Sequence, residues 1–158
     1  MNELFQMLKK EHVEVKEILE QLTGTKESLT RERLFQKLKV ELVPHMKAEE
    51  VTFYPRLLLK KEAREDALEG IEEHHVSEMV LNELEQMPKN GDQWGAKMAV
   101  FKELVEHHVQ DEESKVFKSA EKALDQDDFQ NIMKKFEQEK QIIRQTLKSR
   151  MPGGKVAA

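Results

Sequence analysis

The chain has 158 residues, 38% of them hydrophobic and 36% charged, with a net charge of −5. That length supports one domain with its own core, and the balance fits a soluble, helix-rich protein with solvated charged faces. The absence of cysteine excludes disulfides, thiolate metal sites and cysteine nucleophiles, the acidic charge argues against a nucleic-acid partner, and no apolar run approaches the ~20 residues of a membrane span.

Helical periodicity runs through most of the sequence. From about Asn2 to Leu22, the residues Leu4, Phe5, Leu8, His12, Val15, Leu19 and Leu22 form one stripe. Thr23-Gly24-Thr25 stops it, glycine being the usual residue past a helix end. This opening segment has no signal-peptide core, which points to a cytoplasmic protein. A second helix starts near Ser28 or Thr30, either of which can cap it, and carries Leu34, Leu38, Leu42, His45, Glu49 and Phe53. Pro44 should kink it and Pro55 should mark its last turn. A third helix runs from about Lys61 to Gln86, with Ala67, Ile71, His74, Leu81 and Leu84 in phase. Met87-Pro88-Lys89-Asn90-Gly91-Asp92 is a turn-rich stop. The fourth helix aligns Phe101, Leu104, Val105, His108, Glu112 and Val116. Asp125 offers a cap for a fifth, whose stripe is Phe129, Ile132, Met133, Phe136, Ile143 and Leu147. Residues 151–158 contain two glycines and no apolar face, so disorder is expected there.

The chain repeats itself. EHVEVKEILEQL (Glu11 to Leu22) aligns without gaps to EHHVSEMVLNEL (Glu73 to Leu84), which sets His12 on His74 at an offset of 62 residues. At an offset of 63, Leu38, Leu42, His45, Glu49 and Glu50 fall on Phe101, Val105, His108, Glu112 and Glu113. Two similar helical hairpins predict an all-α fold, an up-down-up-down four-helix bundle over residues 1–122. The helix at 125–150 is an addition, packed on that domain or extending it.

His45 and Glu49, and again His108 and Glu112, are four residues apart and share a helix face in line with the apolar stripe. A carboxylate turned into a core is costly unless it is paired, protonated or bound to a cation. One His-x-x-x-Glu pair on a charged helix is ordinarily a solvated surface pair, and one inward histidine is ordinarily a hydrogen-bonded core residue. Two pairs in phase with the core, each joined by a further inward histidine from its hairpin, make a metal site the better reading. The candidate ligands are His12, His45, Glu49, His74, His108 and Glu112. In the tandem histidines, His74 and His108 lie on the stripe, whereas His75 and His107 are about 100° away and read as boundary or surface residues.

These motifs resemble the hemerythrin family, specifically its bacterial HHE cation-binding branch. The likeness covers about Asn2 to Lys118 and rests on EH in the first helix, HMKAEEVTFYP in the second, EHH in the third and HVQDEE in the fourth. It implies two iron ions with an oxo or hydroxo bridge and two bridging carboxylates. Four imidazoles, two bridging Glu and one bridging oxygen would leave two positions of a six-coordinate iron pair open for a small diatomic ligand or peroxide. Oxygen-carrying hemerythrins have a fifth histidine one turn after the third-helix ligand, where this chain has Glu78, and a longer His-to-Asp spacing in the fourth helix. The departure argues against simple reversible oxygen carriage. Glu78 is read as a rim residue ahead of an extra ligand, and Tyr54 as a phenol packed at the bundle end ahead of a group approaching the site. A ferritin-like di-iron site needs a Glu-x-x-His on two helices, and only Glu72 to His75 fits.

The leading expectation is therefore redox chemistry of oxygen, peroxide or nitric oxide at a non-haem di-iron centre. A module storing or sensing oxygen or iron without turnover is the second reading, and a metal-free helical interaction protein the third. The fifth helix is the candidate surface for a homodimer.

Overall fold

The computed structural model describes residues 2–151, so the tail expected to be disordered, 151–158, lies outside the described residues apart from Met151. Helix α1 spans Glu3–Thr23. The Asn2 carboxamide oxygen accepts the backbone N–H of Leu4 at 2.8 Å and of Phe5 at 3.4 Å, satisfying donors that a helix start leaves free. Gly24 closes the helix. Helix α2 spans Ser28–Thr52, and neither Ser28 nor Thr30 caps it. The N-cap is Glu27, and the Thr30 hydroxyl donates to its carboxylate at 2.9 Å. Pro44 lies buried inside α2, which continues through it to Thr52. Pro55 does not end this helix; it opens the short α3, Tyr54–Leu58, where its fixed φ and missing N–H suit a first helical turn.

Helix α4 spans Arg64–Gln86 and α5 spans Asp92–Asp111. The chain then runs through a π-helical turn, Glu112–Val116, into α6, Phe117–Ala123. The extra residue in that turn brings Val116 and Phe117 inward together after Glu112, before Ala120. Helix α7 spans Gln126–Ser149 and opens on a reciprocal capping box between Asp125 and Asp128.

The fold is an all-α, up-down-up-down bundle with an additional C-terminal helix. α1 pairs with α2, α4 with α5, and α1 lies along α5, while α7 packs mainly along α2 and also touches α1. Its docking stripe buries Ile132 and Phe136 fully, each stabilising by roughly 1.5–3 kcal/mol. No strand occurs among the described residues. Two apolar clusters fill the bundle. One gathers Leu4, Phe5, Leu8, Phe53, Tyr54, Phe117 and Phe136; the other gathers Leu19, Leu22, Phe35, Leu38, Trp94, Met98 and Phe101. A polar layer of His and Glu separates them.

The end of the bundle away from Tyr54 is held by Arg31. Its guanidinium donates to the carbonyls of Thr25, Lys89 and Gly91 at 3.1, 2.8 and 3.1 Å and lies 5.1 Å from the Trp94 ring centroid. One buried cation thus joins the loops of both hairpins.

Candidate metal centre

Each long bundle helix delivers its polar groups from the middle of an apolar stripe. His12 lies between Leu8 and Val15, His45 and Glu49 between Leu42 and Phe53, His74 between Ala67 and Leu81, and His108 and Glu112 between Val105 and Val116. All six are buried, and both carboxylates have no solvent exposure.

They converge as two overlapping groups. His12, His45, Glu49 and Glu112 form one; Glu49, His74, His108 and Glu112 form the other, with the ligand-type atoms of each group within 4.8 Å of one another. Glu49 and Glu112 belong to both. The Nε2 of His45 is 3.0 Å from Glu49 Oε1, and that of His12 is 3.2 Å from Glu112 Oε1. The Nε2 of His74 is 3.5 Å from Glu49 Oε1, that of His108 is 3.6 Å from Glu112 Oε2, and the two Nε2 atoms are 2.9 Å apart.

The outer nitrogens are equally ordered. His12 Nδ1 meets Glu113 at 2.7 Å, His45 Nδ1 meets Glu11 at 3.1 Å, His74 Nδ1 meets Glu50 at 3.0 Å and His108 Nδ1 meets Glu73 at 2.9 Å. An ionised carboxylate only accepts, so each Nδ1 carries the proton and donates. Each Nε2 is left facing inward, the arrangement that outer-layer carboxylates impose on metal-binding histidines. The four pairs follow the repeat: Glu11–His45 corresponds to Glu73–His108, and Glu50–His74 to Glu113–His12. They also link α1 to α2, α2 to α4, α4 to α5, and the π-helical turn after α5 back to α1. The sequence reading missed these four Glu because they lie off the stripes. Their signal was the Glu before His12 and His74 and the second Glu of each Glu-Glu pair.

The inner atoms test the fit to cations. His12 Nε2, both oxygens of Glu49 and Oε1 of Glu112 are buried without a hydrogen-bond partner. They lie near one another at angles that make no hydrogen bond, as donors aimed at a point between them would. Such groups are costly unless a cation joins them. Imidazole and carboxylate together suit iron, zinc or manganese. The residues fit a pair of ions.

Without a cation, protons take part of that role. Burial opposes charge on His45, but Glu49 and Glu11 hold it well above the usual imidazole range. Burial likewise opposes charge on His74, yet Glu49 and Glu50 raise it to about 9. Burial would raise the Glu49 carboxyl, and His45 and His74 instead hold it well below the usual carboxylate range.

Tyr54 is fully buried but is not merely the packed phenol expected: its ring centroid lies 5.3 Å from that of His74 and its hydroxyl donates to Glu112 Oε2, so it reaches the site. Burial first, then Glu112 and Glu49, push its pKa well above the ordinary phenol value, so it keeps its proton. A Cβ on Gly70 would lie 3.0 Å from the Tyr54 oxygen, so the glycine makes room for the phenol. In the repeat Tyr54 falls on Phe117, and Glu49 has no such donor. Glu78 stands at the rim, 38% exposed, with Lys47 Nζ at 2.8 Å. His75 is exposed, and His107 lies outside, paired with Asp111 at 3.2 Å.

A family model described as the hemerythrin HHE cation binding domain matches residues 3–120. The crystal structure of a hemerythrin HHE cation binding domain-containing protein from Mycobacterium kansasii superposes with a TM-score of 0.80 at 23% identity, covering 97% of this chain and 94% of that one. No curated protein matches at the sequence level. The bundle and the match across its two hairpins place this chain in the hemerythrin HHE cation-binding domain family.

Proposed function

We propose that this protein holds two iron ions between His12, His45, Glu49, His74, His108 and Glu112 and reacts there with oxygen, hydrogen peroxide or nitric oxide. The observation that carries the reading is the pair of fully buried carboxylates between four imidazoles whose outer nitrogens are all occupied, with His12 Nε2, both oxygens of Glu49 and Oε1 of Glu112 left without a hydrogen-bond partner. When bound, an iron pair supplies one-electron redox steps and open coordination positions. The rest is the work of the chain.

His12 and His45 face one pole of the centre, His74 and His108 the other, and Glu49 and Glu112 reach both. Tyr54 fixes one oxygen of Glu112 and holds a proton beside it. Val15, Leu42, Met46, Val105 and Val109 wall a cavity of about 10 Å³ against His12, His45 and His108, room for about one water at most. A surface groove of about 450 Å³ between α1 and α5 shares His12, Val105 and Val109 with that cavity. A small uncharged ligand would enter by this route, past the two valines.

Reconstitution of the purified protein with ferrous iron under anaerobic conditions is expected to give two irons per chain. Stopped-flow mixing with oxygen, peroxide or nitric oxide should then change its absorption within seconds. No reaction with any of the three would remove the redox reading. Recovery of the reduced spectrum on simple deoxygenation would favour carriage or storage, and a chain that takes up no metal would leave only a helical interaction protein.

A further inference from the structure

The two poles of the centre are built alike by the repeat, but the C-terminal helix meets only one. Helix α7, outside both the repeat and the family match, lies over the α1–α2 side. There Lys140 Nζ is 2.9 Å from Glu11 Oε1, the same oxygen that accepts the His45 Nδ1–H at 3.1 Å. Phe136, one turn earlier, meets the His45 ring edge-on at a centroid distance of 5.9 Å. The corresponding groups of the other hairpin, Glu73 and His108, have no such cover. The Glu11 side chain is 8% exposed and that of Glu73 is 19% exposed. The other oxygen of the Glu73 carboxylate lies 3.5 Å from the exposed His107.

We propose that Lys140 is a positioning residue for one ion of the pair: through Glu11 it fixes the His45 imidazole, so the His12/His45 pole depends on α7 and the His74/His108 pole does not. The physical reason is the burial of Glu11. A carboxylate removed from water and shared by two donors is held in one place, whereas one with open space can turn away from its histidine. Phe136 limits ring rotation from the other side. The proposal rests on the reading of the six residues as a two-ion centre, and it makes the two ions unequal in a chain whose ligands are nearly symmetric.

The test is release of ferrous iron from the loaded, full-length protein to a ferrous chelator under anaerobic conditions. Outer-layer partners of metal-binding histidines change affinity by about 10–100-fold, and Lys140 acts one step further out. In Lys140→Met one iron per chain should therefore leave about tenfold faster than in the wild type, while the other changes less than about twofold. Lys140→Arg should restore the slow rate. Arg144→Met is the control, because Arg144 tethers α7 to Glu41 at 3.0 Å without touching the centre, and it should leave both rates unchanged. Equal acceleration of both irons, no acceleration of either, or the same effect from Arg144→Met would overturn the role of Lys140. A wild-type chain that binds no iron would instead defeat the two-ion reading beneath it.

Discussion

Glu49 shows why a single side chain can decide whether this bundle takes up metal. Its two oxygens are buried, unpartnered and within reach of both poles, so no other carboxylate can replace it from the same position. Glu49→Gln should lower iron loading from two per chain to less than one, read by metal analysis of the reconstituted protein. His74 sets a pH dependence of the metal-free chain. Its pKa is raised from 6.5 to about 9, so the folded state binds the proton more tightly than the unfolded state. That contribution is fully present below about pH 6.5 and is lost as pH rises through about 9, on the order of 3 kcal/mol. Urea titrations of metal-free protein should show the loss between these two pH values. Iron must displace the same proton, so apparent iron affinity should rise over that window. The six candidate ligands were legible in the sequence because each sits on an apolar stripe, where a charged side chain needs a reason. Glu11, Glu50, Glu73 and Glu113 were not, because a glutamate off the stripe reads as solvated until its neighbouring helix is known.

Helices carry the next level of specificity. The capping of α7 by Asp125 and the continuity of the stripes were readable, since both depend on local spacing. The π-helical turn at Glu112 was not, because one added residue shifts the period only after the site has been passed. Pro55 was misplaced for a related reason: a proline forbids one position but permits both the end of one helix and the start of another. Packing between α3 and α4 gives a sharp test. Gly70→Ala should favour helix by about 1 kcal/mol, yet its Cβ would press on the Tyr54 ring and hydroxyl. Net destabilisation of about 1–2 kcal/mol is expected in chemical denaturation, partly relieved in the double variant with Tyr54→Phe. Arg31 bridges the loops of both hairpins through three carbonyls. Arg31→Met leaves those acceptors unpaired and should cost about 2–4 kcal/mol, measured by urea unfolding.

At the scale of the molecule, the repeat made the bundle legible, and the amphipathic stripe of residues 125–150 foretold a helix but left open whether it packs on the bundle or extends it. That choice depends on surfaces formed only after α1 and α2 have packed. The layer of His and Glu divides the core in two, and it ties all four bundle helices at their midpoints. Ion binding to the folded chain alone should therefore stabilise it by about 4 kcal/mol for each site at a thousandfold excess over the dissociation constant, and its melting temperature should rise with ion concentration. Differential scanning calorimetry of metal-free and iron-loaded protein checks this directly.

The circuit of Nδ1–H donors and carboxylate acceptors has a consequence for how the chain finds its alignment. It begins on α1, passes through α2, α4 and the α5 segment, and returns to α1 with no loose end. A slip of one residue in any helix turns its contribution by about 100°. Two handshakes would then fail at once: the one that helix offers and the one it receives. Mis-threaded bundles would bury charges with nothing to answer them, while the correct alignment gives each of the four outer carboxylates its histidine. The centre thus works as a combination lock for the fold, and the first arriving ion would close it.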